Sequence, residues 1–200
     1  MKFMTNAIRL LFLMMIVLAA FSCDRMLMQE KRREIGKINL KGLMDTLHLE
    51  VASANPLLVK EATIDGKYDT VSMHLNKDEW QKEMGNFVDL KIRPAQLVLE
   101  YTEKIIRSDS SIQYQYLSKN PKREDLDSIL IMTDSDDKIL SLEAFKNDKN
   151  LFSTNQQYLK VNFFTYTENA QLPTDYHVSG WQKIRTKDTI RFSVDGMMKY

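Results

Sequence analysis

The chain opens on an uninterrupted apolar run of about a dozen residues, Leu10 to Phe21, preceded by Lys2 and Arg9 and closed by Asp24 and Arg25. A membrane-spanning helix needs about 20 apolar residues, so this run has the length of a secretory signal core. After a polar stretch, Leu40, Leu43, Met44, Leu47 and Val51 recur at the spacing of one helical face. They predict a helix over 39–53, capped by Asn39 and ended by Asn55-Pro56, because the residue before proline avoids the helical region. The runs 57–64 and 67–75 then flank Asp65-Gly66, a hairpin signal because both central positions need positive φ. Asn76 with Glu79 three residues on reads as a capping box for a second helix, whose apolar stripe is Trp80, Met84, Phe87 and Val88. Trp80 is read as the core anchor that docks this helix on a sheet rather than as a ligand platform.

From Pro94 the period becomes two. Leu97, Leu99 and Tyr101 alternate with Val98, Glu100 and Thr102, and after a polar turn Ile112, Tyr114 and Tyr116 alternate with Gln113 and Gln115. The runs 128–133 and 138–145 flank an acidic turn at 134–137, and 157–167 is a long aromatic strand. The runs 176–184 and 189–194 flank 185–188, and there Ile190, Phe192 and Val194 alternate with Arg191, Ser193 and Asp195, leaving one face wet. The pattern is helix, hairpin, helix, then a meander of about seven strands joined by hairpins. It predicts the α+β class: an antiparallel β-meander, flat or curled into a half-barrel, with two helices packed on one face to bury their stripes.

Composition narrows this picture. Aromatic residues make up 10% of the chain, with only 6 Gly and 4 Pro, which favours an ordered domain over a flexible stalk. Removing 1–23 takes away Lys2 and Arg9 and no acid, so the net charge falls from +1 to about −1. A balanced charge of mixed sign argues against nucleic acid as a partner.

Candidate chemistry is sparse. Asp134, Asp136 and Asp137 invite a calcium loop, but such a loop wants glycine at the sixth position and glutamate at the twelfth. Those positions hold Ile139 and Phe145, so an acidic turn is expected and no metal. His48, His74 and His177 lack metal-ligand spacing. Glu100 and Glu103 fall on opposite faces of one predicted strand, which separates them as an acid–base pair. Neither a nucleophile elbow nor a phosphate-binding glycine loop occurs, so no catalytic residue and no cofactor is assigned. The aromatic strand positions Tyr114, Tyr116, Phe164, Tyr166 and Trp181 are the ligand or interface candidates, set against the alternative of core packing and cross-strand pairs.

The sequence Ala20-Phe21-Ser22-Cys23 resembles the lipobox of bacterial lipoprotein signal peptides, with Ala20 where leucine is usual. Cys23 is the only cysteine and stands at the end of the apolar run. The resemblance implies that Cys23 becomes the first mature residue and carries lipid; a plain secretory signal is the alternative. Residues 1–22 are then the signal peptide, 23–38 a lipidated tether and 39–200 one domain. Lys31-Arg32-Arg33, offset by Glu30 and Glu34, reads as a solvated linker before a headgroup contact. The layout is also similar to small uncharacterised lipoproteins of Bacteroidota, through Asp65-Gly66-Lys67, Trp80 with Glu83, Met84 and Phe87, and Gly180-Trp181-Gln182-Lys183 with Lys187-Asp188-Thr189. That resemblance implies an envelope location at the outer membrane and transfers no activity; the early tether, which mixes Asp24 and Glu30 with basic residues, favours the periplasmic face. The expected function is a non-enzymatic envelope lipoprotein, held in the membrane through Cys23, that binds a partner protein or supports an envelope assembly. A carrier of lipid or another hydrophobic ligand in an apolar cavity is the alternative, and a hydrolase of envelope polymers a distant one.

Overall fold

The computed structural model describes residues 40–200 apart from 89, 91–93, 122–124 and 169. All of these belong to one compact unit, Ile38–Tyr200. The expected signal segment and tether, Cys23 and the expected Asn39 cap lie outside the described residues.

Helix α1, Leu40–Ala54, buries Met44, Leu47 and Val51 at the expected spacing. Asn55 ends it in the left-handed region (φ 47°), its N–H bonded to the Val51 carbonyl at 3.1 Å, and Pro56 prevents continuation. Strands β1, Leu57–Ile64, and β2, Lys67–His74, form the expected hairpin. Asp65 (φ 47°) and Gly66 (φ 79°) supply the two positive φ values of its turn. Helix α2, Lys77–Glu83, starts at the predicted box. Asn76 Oδ1 accepts from the N–H groups of Asp78 and Glu79 at 3.0 and 3.1 Å, and the Glu79 carboxylate accepts from the Asn76 N–H at 2.8 Å. Such caps are worth about 1 kcal/mol. A break at Met84 separates α2 from the short helix α3, Gly85–Val88, so that Trp80, Met84 and Phe87 are all fully buried.

One prediction fails here. The run from Pro94 is not extended: α4, Pro94–Glu100, is helical, and the strand begins only at Tyr101. Proline suits the first turn of a helix, where its missing N–H would go unpaired anyway. Leu97 is buried while Leu99 stands 54% exposed, which is not what two residues on one strand face would show. Glu100 and Glu103 therefore do not share a strand, as that reading had assumed.

The remaining strands are β3, Tyr101–Arg107; β4, Ser111–Ser118; β5, Leu126–Asp134; β6, Ile139–Lys149; β7, Ser153–Thr167; β8, Ala170–Ile184; and β9, Thr189–Lys199. Together they make an open nine-stranded antiparallel sheet in the order β2-β1-β9-β8-β7-β6-β5-β4-β3. The meander thus runs outward from β9 to β3, and the first hairpin joins its other side by pairing β1 with β9.

Residues directly opposite one another project from the same face. One row therefore crosses the sheet as Lys60, Gly196, Tyr176, Val161, Leu142, Ile131, Tyr114 and Ile105. The next runs Ala62, Val194, Val178, Leu159, Ala144, Ile129 and Tyr116. Most of these side chains are buried, at about 1.5–3 kcal/mol for each large one. Contacts tie helices to this face. Glu83 pairs with Lys60 Nζ at 2.8 Å and accepts the Tyr176 hydroxyl, and the Phe87 ring meets the Tyr176 ring edge-on at 6.0 Å. Among the described residues no helix is long and apolar enough to cross a membrane.

Candidate functional site

The sheet distributes the five aromatic candidates to different places. Tyr114 and Tyr116 lie within the two buried rows and are 5% and 1% exposed, so they are core side chains and present no surface. Phe164 and Tyr166 meet, as neighbours at i and i+2 on a strand should, with ring centroids 6.2 Å apart. Tyr200 joins them at 5.2 Å from Phe164, its hydroxyl donating to the Pro173 carbonyl at 2.8 Å. Burial, together with Tyr166 beside it, raises the Tyr200 hydroxyl well above its ordinary pKa. Trp181 is apart from this group, near the opposite end of β8, and donates from Nε1 to Gln156 Oε1 at 2.9 Å.

The face opposite the buried rows is polar. Its central row reads Glu61, Asp195, His177, Lys160 and Glu143 across β1, β9, β8, β7 and β6. Glu143 pairs with Lys160 at 3.0 Å and accepts the Tyr158 hydroxyl at 2.9 Å. His177 bonds Asp195 through Nδ1 at 2.6 Å and the Ser179 hydroxyl through Nε2 at 2.9 Å. Ser179, His177 and Asp195 thus stand in the order of nucleophile, base and orienting carboxylate. The order alone does not make a reaction centre, because acyl transfer also needs donors aimed at the developing oxyanion. Through this stretch β8 is paired on both sides, with β7 and with β9, so its backbone N–H groups are consumed in the ladder. As built, the string can hold an imidazole in one orientation on an open sheet face.

The third feature is the edge strand β2, and it is the best formed for binding. None of its eight side chains is buried, and Tyr68 and Val71 are 62% and 40% exposed. The two-residue turn makes Ile64 and Lys67 a hydrogen-bonded pair, so alternation aims the N–H and C=O groups of Tyr68, Thr70 and Ser72 away from β1. Among the described residues no strand lies beyond them. The Thr70 N–H is instead covered by its neighbour, bonding Asp69 Oδ1 at 2.9 Å. A carboxylate in that position occupies a donor that an added strand would take. The turn itself is held to β9: Asp65 bonds Arg191 twice, its N–H to the carbonyl at 2.9 Å and its carboxylate from the N–H at 2.8 Å.

The acidic turn at 134–137 is a capped turn, in which Asp134 Oδ1 accepts the N–H groups of Asp136 and Lys138, both at 2.9 Å. Sequence reasoning passed over both the His177 string and the β2 edge. The first was only half within reach, since the sequence located the β8–β9 turn but not its register. The expected turn at 185–188 would set 184 opposite 189 and 177 opposite 196. The observed register pairs Lys183 with Thr189, one residue away, and only that shift brings 177 opposite 195, with 179 on the face of 177. The second was not, since nothing local to β2 says which strand ends the sheet. Compared with protein-family models, curated proteins and solved structures, the chain matches none of them.

Proposed function

We propose that the protein is a non-enzymatic envelope lipoprotein, anchored through lipid on Cys23, that binds a partner protein by taking a strand of it onto the β2 edge. The observation that carries the binding mode is β2 itself: an eight-residue edge strand with no buried side chain and with the backbone groups of Tyr68, Thr70 and Ser72 facing outward, the Thr70 N–H held by Asp69 until a partner strand displaces it. Strand addition uses such groups for affinity and the alternating side chains, here Tyr68 and Val71, for selection. The Leu10–Phe21 run and the single cysteine support the anchor, and the likeness to envelope lipoproteins together with the mixed charge of the tether supports an outer-membrane surface facing the periplasm. The test is a photocrosslinking residue at Thr70 in intact envelopes. A discrete adduct is expected, and Ser72→Pro is expected to abolish it, because proline deletes an outward donor and leaves the β1 ladder whole. An adduct that survives Ser72→Pro, or no adduct, would refute the binding mode.

The contacts of Glu83 and Phe87 with Tyr176 favour a second reading. In it the helices cover one face of a curved, half-barrel sheet and the domain carries a lipid or another hydrophobic ligand between them. A lipid retained through gentle purification and seen in native mass spectra would move the assignment there.

A further inference from the structure

The end of the sheet that holds the β1–β2 turn also holds the β6–β7 and β8–β9 turns. The β6–β7 tip carries Leu151 and Phe152, which are 84% and 73% exposed, more than any other large apolar side chain described. The tip is not loosely held. Asn150 Oδ1 accepts the N–H groups of Phe152 and Ser153, both at 2.9 Å. The Phe152 carbonyl accepts the Arg185 N–H from the neighbouring turn at 2.9 Å. Two apolar side chains are therefore presented to water by a fixed backbone. Lys149, Lys183, Arg185 and Lys187 flank them on the same end, with Lys67 at the β1–β2 turn, against Asp65, Asp125, Asp148 and Asp188. Ile64 and Tyr68 are exposed beside the β1–β2 turn on that end as well.

We propose that this end of the sheet docks on an anionic lipid bilayer, with Leu151 and Phe152 entering the acyl region and the four basic residues flanking them meeting headgroup phosphates. Shape selects a bilayer over a protein. A convex tip with two apolar side chains offers far less than the ~800 Å² per partner of a stable protein interface, whereas a fluid surface closes around it. Charge selects an anionic surface, since basic side chains near such a surface each add to the attraction. Trp181 fits the same orientation. It lies opposite Gln156, four residues on from Phe152, about 13 Å behind the tip at strand spacing. That is the headgroup level at which tryptophan is enriched. The inference takes only the envelope location from the preceding reading and nothing of its partner.

Trp181 reports the docking. The other tryptophan, Trp80, is fully buried and out of reach of a short-range quencher in the lipid. The experiment reconstitutes the full chain in vesicles of equal parts phosphatidylcholine and phosphatidylglycerol with brominated acyl chains, and reads tryptophan quenching. Quenching is expected in the native chain, and Trp181→Phe is expected to abolish it. Most of it is expected to be lost in the Leu151→Ser/Phe152→Ser variant and on phosphatidylcholine alone. These exposed positions leave the fold intact, which an unchanged near-ultraviolet circular dichroism spectrum checks. Ser72→Pro is expected to be quenched like the native chain, so failure of partner capture and failure of docking are told apart. Quenching that is absent, equal with and without Leu151 and Phe152, or equal on neutral vesicles overturns the proposal.

Discussion

Tyr158 keeps its proton because burial withholds water from the phenolate and because Glu143, already accepting its O–H, repels a second negative charge. Its pKa is pushed up to about 12. The folded value lies above the unfolded one of about 10. Its contribution to stability is therefore full below pH ~10 and lost as pH rises through ~12. Glu143→Gln keeps an acceptor and removes the charge, so Tyr158 is expected to titrate earlier. The return toward the ordinary value is partial, because burial is the larger cause. An alkaline absorbance titration checks this, with Tyr158→Phe identifying the step; an unmoved step would show that Glu143 is without influence. The same neighbourhood shows what single residues conceal in a sequence. Tyr158 and His177 are ordinary strand positions until registers are known, and only then does His177 fall beside Asp195 and Lys160. Tyr114 and Phe164 look alike on paper, yet one is core and the other belongs to a partly exposed aromatic group.

Helix α2 and strands β1, β8 and β9 meet at one joint, and Gly196 makes the joint possible. A Cβ at this position would fall inside the ring of Tyr176, which is pinned by its bond to Glu83 and by Phe87. Gly196→Ala is expected to destabilise the domain by about 1–3 kcal/mol, the usual cost of overpacking. In a Tyr176→Ala background the same change is expected to cost under about 0.5 kcal/mol, and urea unfolding of the four proteins measures the coupling. Equal costs in both backgrounds would mean that the ring is not the obstacle. Elements with a local chemical reason were legible: Asn76 with Glu79 announced α2, and Asp65-Gly66 announced the β1–β2 turn. The misread element, Pro94–Glu100, had a short apolar run compatible with either period. There the proline carried the better information, as a helix start rather than the opening of a strand.

Pairing the first strand with the last makes the domain depend on both ends of its chain. Nothing in the local pattern reveals this. Hairpins declare themselves through their turns, whereas β1 meets β9 only because both carry apolar residues to the same face, Leu58 opposite Met198 and Ala62 opposite Val194. That pairing also decides the candidate binding site, since it sends β2 to the edge. The hairpin is held by more than its ladder to β9. Leu58 is fully buried, Lys60 is paired with Glu83, and Asp65 is latched to Arg191. With these attachments the hairpin should open together with the sheet and not as a separate flap. Alternation aims the amides of Val59, Glu61 and Thr63 at β9 and those of Ser193, Asp195 and Met197 back at β1. These six are expected to exchange hydrogen with one shared opening free energy, close to that of Leu159 and Val161 in β7. Thr70 and Ser72, facing outward, are expected to be far less protected. If the β1 amides instead exchanged more than tenfold faster than those of β7, a gap above about 1.4 kcal/mol, the hairpin would be a docked flap. The edge offered to a partner strand would then be a moving one, and strand addition would have to follow or cause its closure.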